Sequence, residues 1–249
     1  MALQGLFVTG TDTGVGKTFV ASAIIRALRG SGIRVGAYKP AVSGSRTEPT
    51  GPIWDDVSQL QTALGAPVPA EKIAPQRFHA PLSPPAAARL EGVQVDPQLL
   101  RTGINYWEGR ADIVVVEGAG GILSPITDSE TIADLARDLG FPLIVVARLG
   151  LGTINHTLLT LEAARNRGLS VAGIVLNQSL PPDPADLSPA TNPADLQHLC
   201  DVPIVAIVPH TTTPGLLHNS PLSTIDWSAL ARLQVVQLAP IVGRNAGDR

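Results

Sequence analysis

Cysteine is all but absent from this chain of 249 residues: Cys200 stands alone. A single thiol excludes an internal disulfide and any cysteine-rich metal centre, and it points to the reducing cytoplasm. Histidine is also sparse. His79, His156, His198, His210 and His218 show neither His-x-x-x-His nor Glu-x-x-His spacing, so zinc is not expected. No basic run occurs and the formal net charge is −3. That excludes a sequence-independent nucleic-acid binder, which needs a concentrated excess of Lys and Arg. No apolar run approaches the roughly 20 residues of a membrane helix. The opening MALQGLF lacks the basic start and long apolar stretch of a secretion signal. Neither a nucleic acid nor a membrane is an expected partner.

What is present is an ordinary globular composition, 44% hydrophobic and 16% charged. A chain this long can bury roughly three-quarters of its unfolded surface. We expect one domain over residues 1–249, with a flexible tail from about residue 238. Short β-branched runs recur at Leu6–Thr9, Arg34–Tyr38, Asp112–Glu117, Pro142–Ala147, Val171–Asn177 and Pro203–Val208. They are apolar on both faces, as in a parallel sheet covered on each side. Helical spacing lies between them: Val20, Ala21, Ile24, Ile25 and Leu28, then Ile132, Leu135, Ala136 and Leu139, then Leu158, Leu159 and Leu161. Alternation of this kind predicts an α/β fold, a doubly wound and mainly parallel sheet flanked by helices. Two stretches rich in Pro, Ser, Thr and Gly, residues 43–55 and 179–195, are expected to be loops.

The first strand empties into FVTGTDTGVGKTFV, residues 7–20. A phosphate-binding loop reads Gly, four residues, then Gly-Lys-Ser/Thr. Here the first glycine is Gly10 and residue 11 is Thr, so the loop is one residue longer. Its context still suits a phosphate cradle: glycine-exposed N–H groups lead into the positive end of a helix. Gly14, Val15, Gly16, Lys17, Thr18 and Phe19 are the candidate contacts. Lys17 would reach the β- and γ-phosphates, and Thr18 would ligate magnesium. Thr11, Asp12 and Thr13 add oxygens that would face a second ligand. The bland reading is a tight turn with a solvated lysine.

Three further stretches end strands in reactive groups. AYKPAVSGS carries Lys39 to the crevice where open α/β sheets bind ligands, and Pro40 holds it extended. DIVVVEGAGG delivers Glu117 to the position of a metal-binding carboxylate, followed by glycines that admit a ligand close to the backbone. WDDVSQL places Asp55 and Asp56 at a helix start, where aspartates also serve as plain caps. Asn177, closing VAGIVLNQ, offers an amide to a purine edge or simply to a turn.

Taken in order, GTDTGVGKT, YKPAVSGS, VEGAGG, LGTINHTLLTLEAA and GIVLNQ resemble the dethiobiotin synthetase family, over about residues 5–210. That resemblance implies a P-loop NTPase fold and an ATP- and Mg²⁺-dependent ligase of biotin biosynthesis. Its substrates would be 7,8-diaminopelargonic acid, CO₂ or bicarbonate, and ATP as co-substrate. One amine forms a carbamate, ATP phosphorylates it, and the second amine closes a urea ring and expels phosphate. Carried over by position, Lys39 matches the catalytic lysine, acting with Lys17. Thr18, Asp56 and Glu117 match the magnesium ligands. Gly118, Ala119, Gly120, Asn177, Gln178, Pro209 and His210 match nucleotide contacts. Thr13 and Ser43 match substrate contacts. Gly152 and Asn155 match the segment that reaches the substrate's carboxylate across a dimer interface, which implies a homodimer. Some relatives carry a glutamate where this chain has Gly14. The alternative is a ParA/MinD-like partitioning or positioning ATPase; Asp12 occupies the slot of that group's signature lysine.

Overall fold

Six short β-branched runs become the six strands of one parallel sheet, and only the last run is open on one face, with Ile207 43% exposed. The structure, a computed structural model, describes residues 3–49, 51–210 and 220–233. The chain opens with β1 (Gln4–Gly10), α1 (Lys17–Gly30), β2 (Val35–Tyr38), β3 (Ala41–Ser43), β4 (Arg46–Glu48) and β5 (Gly51–Ile53). It continues with α2 (Asp55–Leu64), α3 (Ala70–Ile73), β6 (Gln76–Phe78), α4 (Pro84–Leu90), α5 (Pro97–Thr102), β7 (Ile113–Gly121) and α6 (Ile132–Leu139). Last come β8 (Leu143–Arg148), α7 (Thr153–Asn166), β9 (Val171–Asn177), α8 (Ser188–Leu199), β10 (Ile204–Val208) and α9 (Trp227–Ala231).

The large sheet has the order β10-β9-β8-β1-β7-β2, and each neighbouring pair is parallel. All six expected strands are there. Leu6, Phe7, Val8, Val114, Val115 and Val116 are wholly buried, which is why these runs lack polar alternation. The predicted face of α1 (Val20, Ala21, Ile24, Ile25, Leu28) packs into the same core. From β1 the chain crosses to β2 at one edge, returns to β7, and then builds β8, β9 and β10 on the other side. Strand order thus reverses at β1, and ligands of open α/β sheets bind beyond the carboxyl ends at such a point.

One irregularity matters for the site. β1 and β7 are in register up to Val8 opposite Glu117, and the next pair is Gly10 with Gly121. Over that step β7 advances four residues while β1 advances two, so Glu117 is the last residue of β7 held in the unbroken ladder.

Both stretches expected to be loops carry regular structure. Within 43–55, β4 and β5 form a small antiparallel hairpin, with Gly51 at φ 120. The second, 179–195, gives way at Ser188 to α8, which contains Pro193. Tertiary anchoring outweighs composition there: Leu196 is fully buried, and the buried Asn192 Nδ2 donates to Gly150 O at 2.8 Å. Pro189 sits in the first turn, where no N–H is needed. Helix α7 buries Thr153, Thr157, Thr160, Leu161 and Ala164, leaving Leu159 60% exposed. The tail expected to be flexible from about residue 238 lies outside the described residues.

Candidate active site

Five segments meet at the carboxyl end of β1. The residues after β1 turn through Gly14 (φ 74) and Gly16 (φ 94) into α1, positive angles that glycine adopts without penalty. The N–H groups from Gly14 to Thr18 donate to no acceptor among the described residues. They form a row of orphan donors at a helix start. Asn177, from the end of β9, packs onto this turn, and its Nδ2 donates to Val15 O at 2.9 Å.

Beside the turn lies a buried charge cluster. Lys39, delivered by β2, is 4% exposed, and its Nζ lies 2.6 Å from Glu117 Oε1 and 2.7 Å from Asp56 Oδ2. Glu117, at the end of the ordered part of β7, is 1% exposed. Asp56, in the first turn of α2, is partly open to solvent. Thr18 Oγ1 lies between the two acids, 2.8 Å from Glu117 Oε1 and 2.9 Å from Asp56 Oδ1. Lys17 Nζ donates to Asp12 O at 3.0 Å.

Burial works against a charged Lys39, yet the charges of Glu117 and Asp56 outweigh it and hold its pKa above the usual lysine value. Burial likewise pushes Glu117 up, against the pull of Lys39. Asp56 feels burial too, but the Lys39 charge and the hydrogen bonds from Lys39 and Thr18 keep it below the ordinary range. Lys17 lacks a direct acid partner. Burial, helped by the neighbouring Lys39 charge, lowers it to about 8. The cluster is therefore an ion triad with a second, easily discharged cation beside it.

A family profile described as an AAA domain matches residues 4–214. The ATP-dependent dethiobiotin synthetase BioD of Anaeromyxobacter sp. (strain K) is 50% identical over 208 residues, covering 83% of this chain and 90% of that protein. The namesake in Rhodopirellula baltica is 40% identical over 226 residues, covering 86% and 88%. That of Bacillus licheniformis is 37% identical over 236 residues, covering 92% and 96%. This chain belongs to the dethiobiotin synthetase family.

Solved structures place the family among P-loop proteins by fold alone. A ParA family ATPase from Chlorobium tepidum TLS superposes with a TM-score of 0.56 at 14% identity, covering 92% of this chain and 99% of that one. The MinD protein of Pyrococcus horikoshii OT3, complexed with Mg-ADP, gives 0.53 at 18%, covering 84% and 82%. Such likeness carries no activity with it. Asp12 in place of the ParA/MinD lysine fits membership of the synthetase family.

The cluster joins Lys39, Thr18, Asp56 and Glu117 by direct contact, with Lys17 at their side. Gly118 and Ala119 follow Glu117 on β7, and Gly118 packs against Phe7 and Ile132. Gly120 (φ 67) stands next to Thr13, whose Oγ1 would lie 3.8 Å from a Cβ at that position. Phe19 is half-buried and packs on the core. Gln178 N donates to Val208 O, and His210 Nδ1 lies 3.3 Å from Gln178 O, which ties the segment of Pro209 and His210 to the end of β9. Ser43 is not joined to the cluster: its hydroxyl donates to Leu82 O at 2.5 Å. Gly152 (φ 89) caps α7 and Asn155 is exposed on its first turn.

Between that helix and the loop runs a groove of about 380 Å³, lined by Thr11, Asp12, Leu123, Ser124, His156 and Leu159 among others. Of these, Leu123, Ser124, His156 and Leu159 were not picked out as site residues from the sequence. His156 and Leu159 lie within the LGTINHTLLTLEAA stretch, whereas Leu123 and Ser124 follow the glycine cluster with no local signal of their own.

The donors around Thr18 suit a hard cation. Thr18 Oγ1, Asp56 and Glu117 are all oxygen donors, and Glu117 Oε2 is buried with no partner. Among the described residues no cluster of three or more His, Cys, Asp or Glu could hold a metal by itself. Magnesium commonly takes one or two carboxylates and completes its shell with substrate phosphate, so these residues fit it as a companion of the nucleotide.

Proposed function

We propose that the buried cluster around Lys39 is the centre at which a carbamate meets the terminal phosphate of ATP. The chain is an ATP-dependent ligase, and its reaction is the closure of 7,8-diaminopelargonic acid with CO₂ to dethiobiotin, ADP and phosphate. One amine adds CO₂ and loses a proton to give the carbamate. Its anionic oxygen takes the γ-phosphoryl group, ADP leaves, and the carbamate oxygen becomes part of a leaving group. The second amine attacks the carbonyl carbon, the ring closes, and phosphate departs with loss of the amine proton.

The observation that carries this reading is the geometry of Lys39: a buried amine bonded to two carboxylates, beside a loop of orphan N–H donors. A carbamate and a triphosphate repel one another, so the site has to supply positive charge where they meet. Lys39 stays protonated throughout and steadies the transferring group. Lys17, held at about 8 by burial, takes a full charge once phosphate approaches. Thr18, Asp56 and Glu117 would hold magnesium, which when bound neutralises phosphate charge. Gly14 to Phe19 enclose the phosphates, with Gly14 contributing backbone alone, its Cβ direction open. Gly118, Ala119 and Gly120 flank the nucleotide, and Gln178, Pro209 and His210 lie toward the base. With one Nδ2 hydrogen on Val15 O, Asn177 keeps Oδ1 and its second N–H for a purine edge.

Thr13 and Ser43 are assigned to the diamine by the family resemblance, and Ser43 would turn from Leu82 O to reach it. Gly152 and Asn155 meet the carboxylate tail at the start of α7, from the second subunit of a homodimer. Exposed Leu123 and Leu159 on the groove, with exposed Leu151 just before α7, suit such a contact. No helix among the described residues is long and apolar enough to cross a membrane, and a cytoplasmic setting agrees with the lone thiol. Incubation with diaminopelargonate, bicarbonate and Mg-ATP, followed by mass spectrometry, tests the reading. The expected product carries one inserted carbonyl group, and phosphate release without that product rejects it.

A further inference from the structure

Asn177 is buried, 5% exposed, yet it lies at the far end of the sequence from the loop it touches. Its Nδ2 donates to Val15 O at 2.9 Å. A Cβ added to Gly16 would lie 2.1 Å from the same nitrogen, so side chain and loop backbone are in closest packing. A trans peptide is planar, and its C=O and N–H point in opposite directions. Pinning Val15 C=O toward Asn177 therefore turns the N–H of Gly16 to the other side of the peptide, away from β9. That N–H is one of the successive donors left without an acceptor among the described residues. Gly16, at φ 94, has little intrinsic reason to hold one orientation, since glycine populates both signs of φ.

We infer that Asn177 is a positioning residue for the phosphates: it fixes the Val15–Gly16 peptide so that the Gly16 N–H is aimed at the polyphosphate. This role rests on the reading of the loop as a triphosphate cradle and is separate from any contact with the base. It also explains why the residue is asparagine. An aspartate of the same shape would set a carboxylate against a carbonyl oxygen, and an alanine would leave Val15 O unpaired.

Ligands that split the nucleotide test the inference. Inorganic tripolyphosphate with magnesium has phosphates and no base; adenosine has a base and no phosphates. Calorimetry on the full chain, with adenosine measured by competition where binding is weak, compares the wild type with Asn177→Asp and Asn177→Ala. The expected result is a loss of about tenfold or more in tripolyphosphate affinity in both variants, with adenosine affinity reduced less. Thermal melting and circular dichroism establish that each variant is folded. If the aspartate variant does not fold, Asn177→Ala carries the same comparison.

Unchanged tripolyphosphate affinity with weakened adenosine binding overturns the inference and leaves Asn177 a base contact only. Loss of both ligands to the same degree in folded variants overturns it as well, since that is general damage to the site. A wild-type protein that binds ATP but not tripolyphosphate refutes the aimed cradle. One that binds neither refutes the nucleotide reading itself.

Discussion

Replacing Lys39 by methionine should unbalance the cluster in a way that pH reveals. The substitution keeps the length of the side chain and removes the charge that Glu117 and Asp56 share. Asp56 is partly open to solvent and loses little. Glu117 is 1% exposed, and only the Thr18 hydroxyl remains on its Oε1. An uncompensated buried charge of this kind costs about 3–5 kcal/mol. For a chain of this size each kcal/mol moves the melting temperature by about 2–4 °C, so the drop should be about 6–20 °C in magnesium-free buffer at pH 8.

The pH dependence follows from Glu117. Burial already raises its pKa and Lys39 opposes that shift. Without Lys39 the folded value rises further above the unfolded one. A raised folded pKa means that the protonated form favours folding. The full deficit should appear above the raised value and shrink as pH falls through it toward the ordinary glutamate range. Urea unfolding of both proteins between pH 5 and pH 9 measures it, and Lys39→Met combined with Glu117→Gln should recover most of the loss. A single variant within about 0.5 kcal/mol of wild type at pH 8, or a deficit that grows on acidification, refutes the buried triad.

Other perturbations have equally direct expectations. Because burial lowers Lys17 to about 8, the unfolded chain binds more protons than the folded one between about pH 8 and 10.5, and Lys17 should make stability rise with pH there; a Lys17→Met protein should lose that slope. Nucleotide phosphate should restore the charge on Lys17, so ATP binding at pH 8.5 should take up protons, visible as a dependence of calorimetric enthalpy on the buffer. Asp56→Asn should raise the magnesium concentration needed for half-maximal turnover by about tenfold while leaving the melting temperature within a few degrees. Asn192→Leu removes the bond to Gly150 O and should destabilise the fold by about 1–3 kcal/mol, measured by chemical denaturation.

The sheet is readable because its inner strands are buried on both faces, so Leu6–Thr9 and Val171–Asn177 announce themselves as unbroken apolar runs. Lys17, Lys39 and Glu117 were readable for a related reason: each stands at the mouth of such a run, next to glycine or proline. Helix α8 was not, because Pro189 and Pro193 are local signals for a loop. What keeps it helical is remote, the burial of Leu196 and the grip of Asn192 on the turn before α7. The buried side of α7 was misleading in another way. Its inner face holds three threonines beside Leu161 and Ala164, and of the leucines only Leu159 stands on the outside. The link between Asn177 and Val15 spans 162 positions in sequence, and no local pattern announces it.

The slip in register after Val8 divides the site mechanically. Up to Glu117 the chain is laced into neighbouring strands on both sides, so the acid, with Lys39 bonded to it, sits on an unyielding frame. Past that point the glycine-rich continuation leaves the lattice for several residues before rejoining at Gly121. Glu117 is thus the last point at which the sheet itself fixes the chain before the glycines.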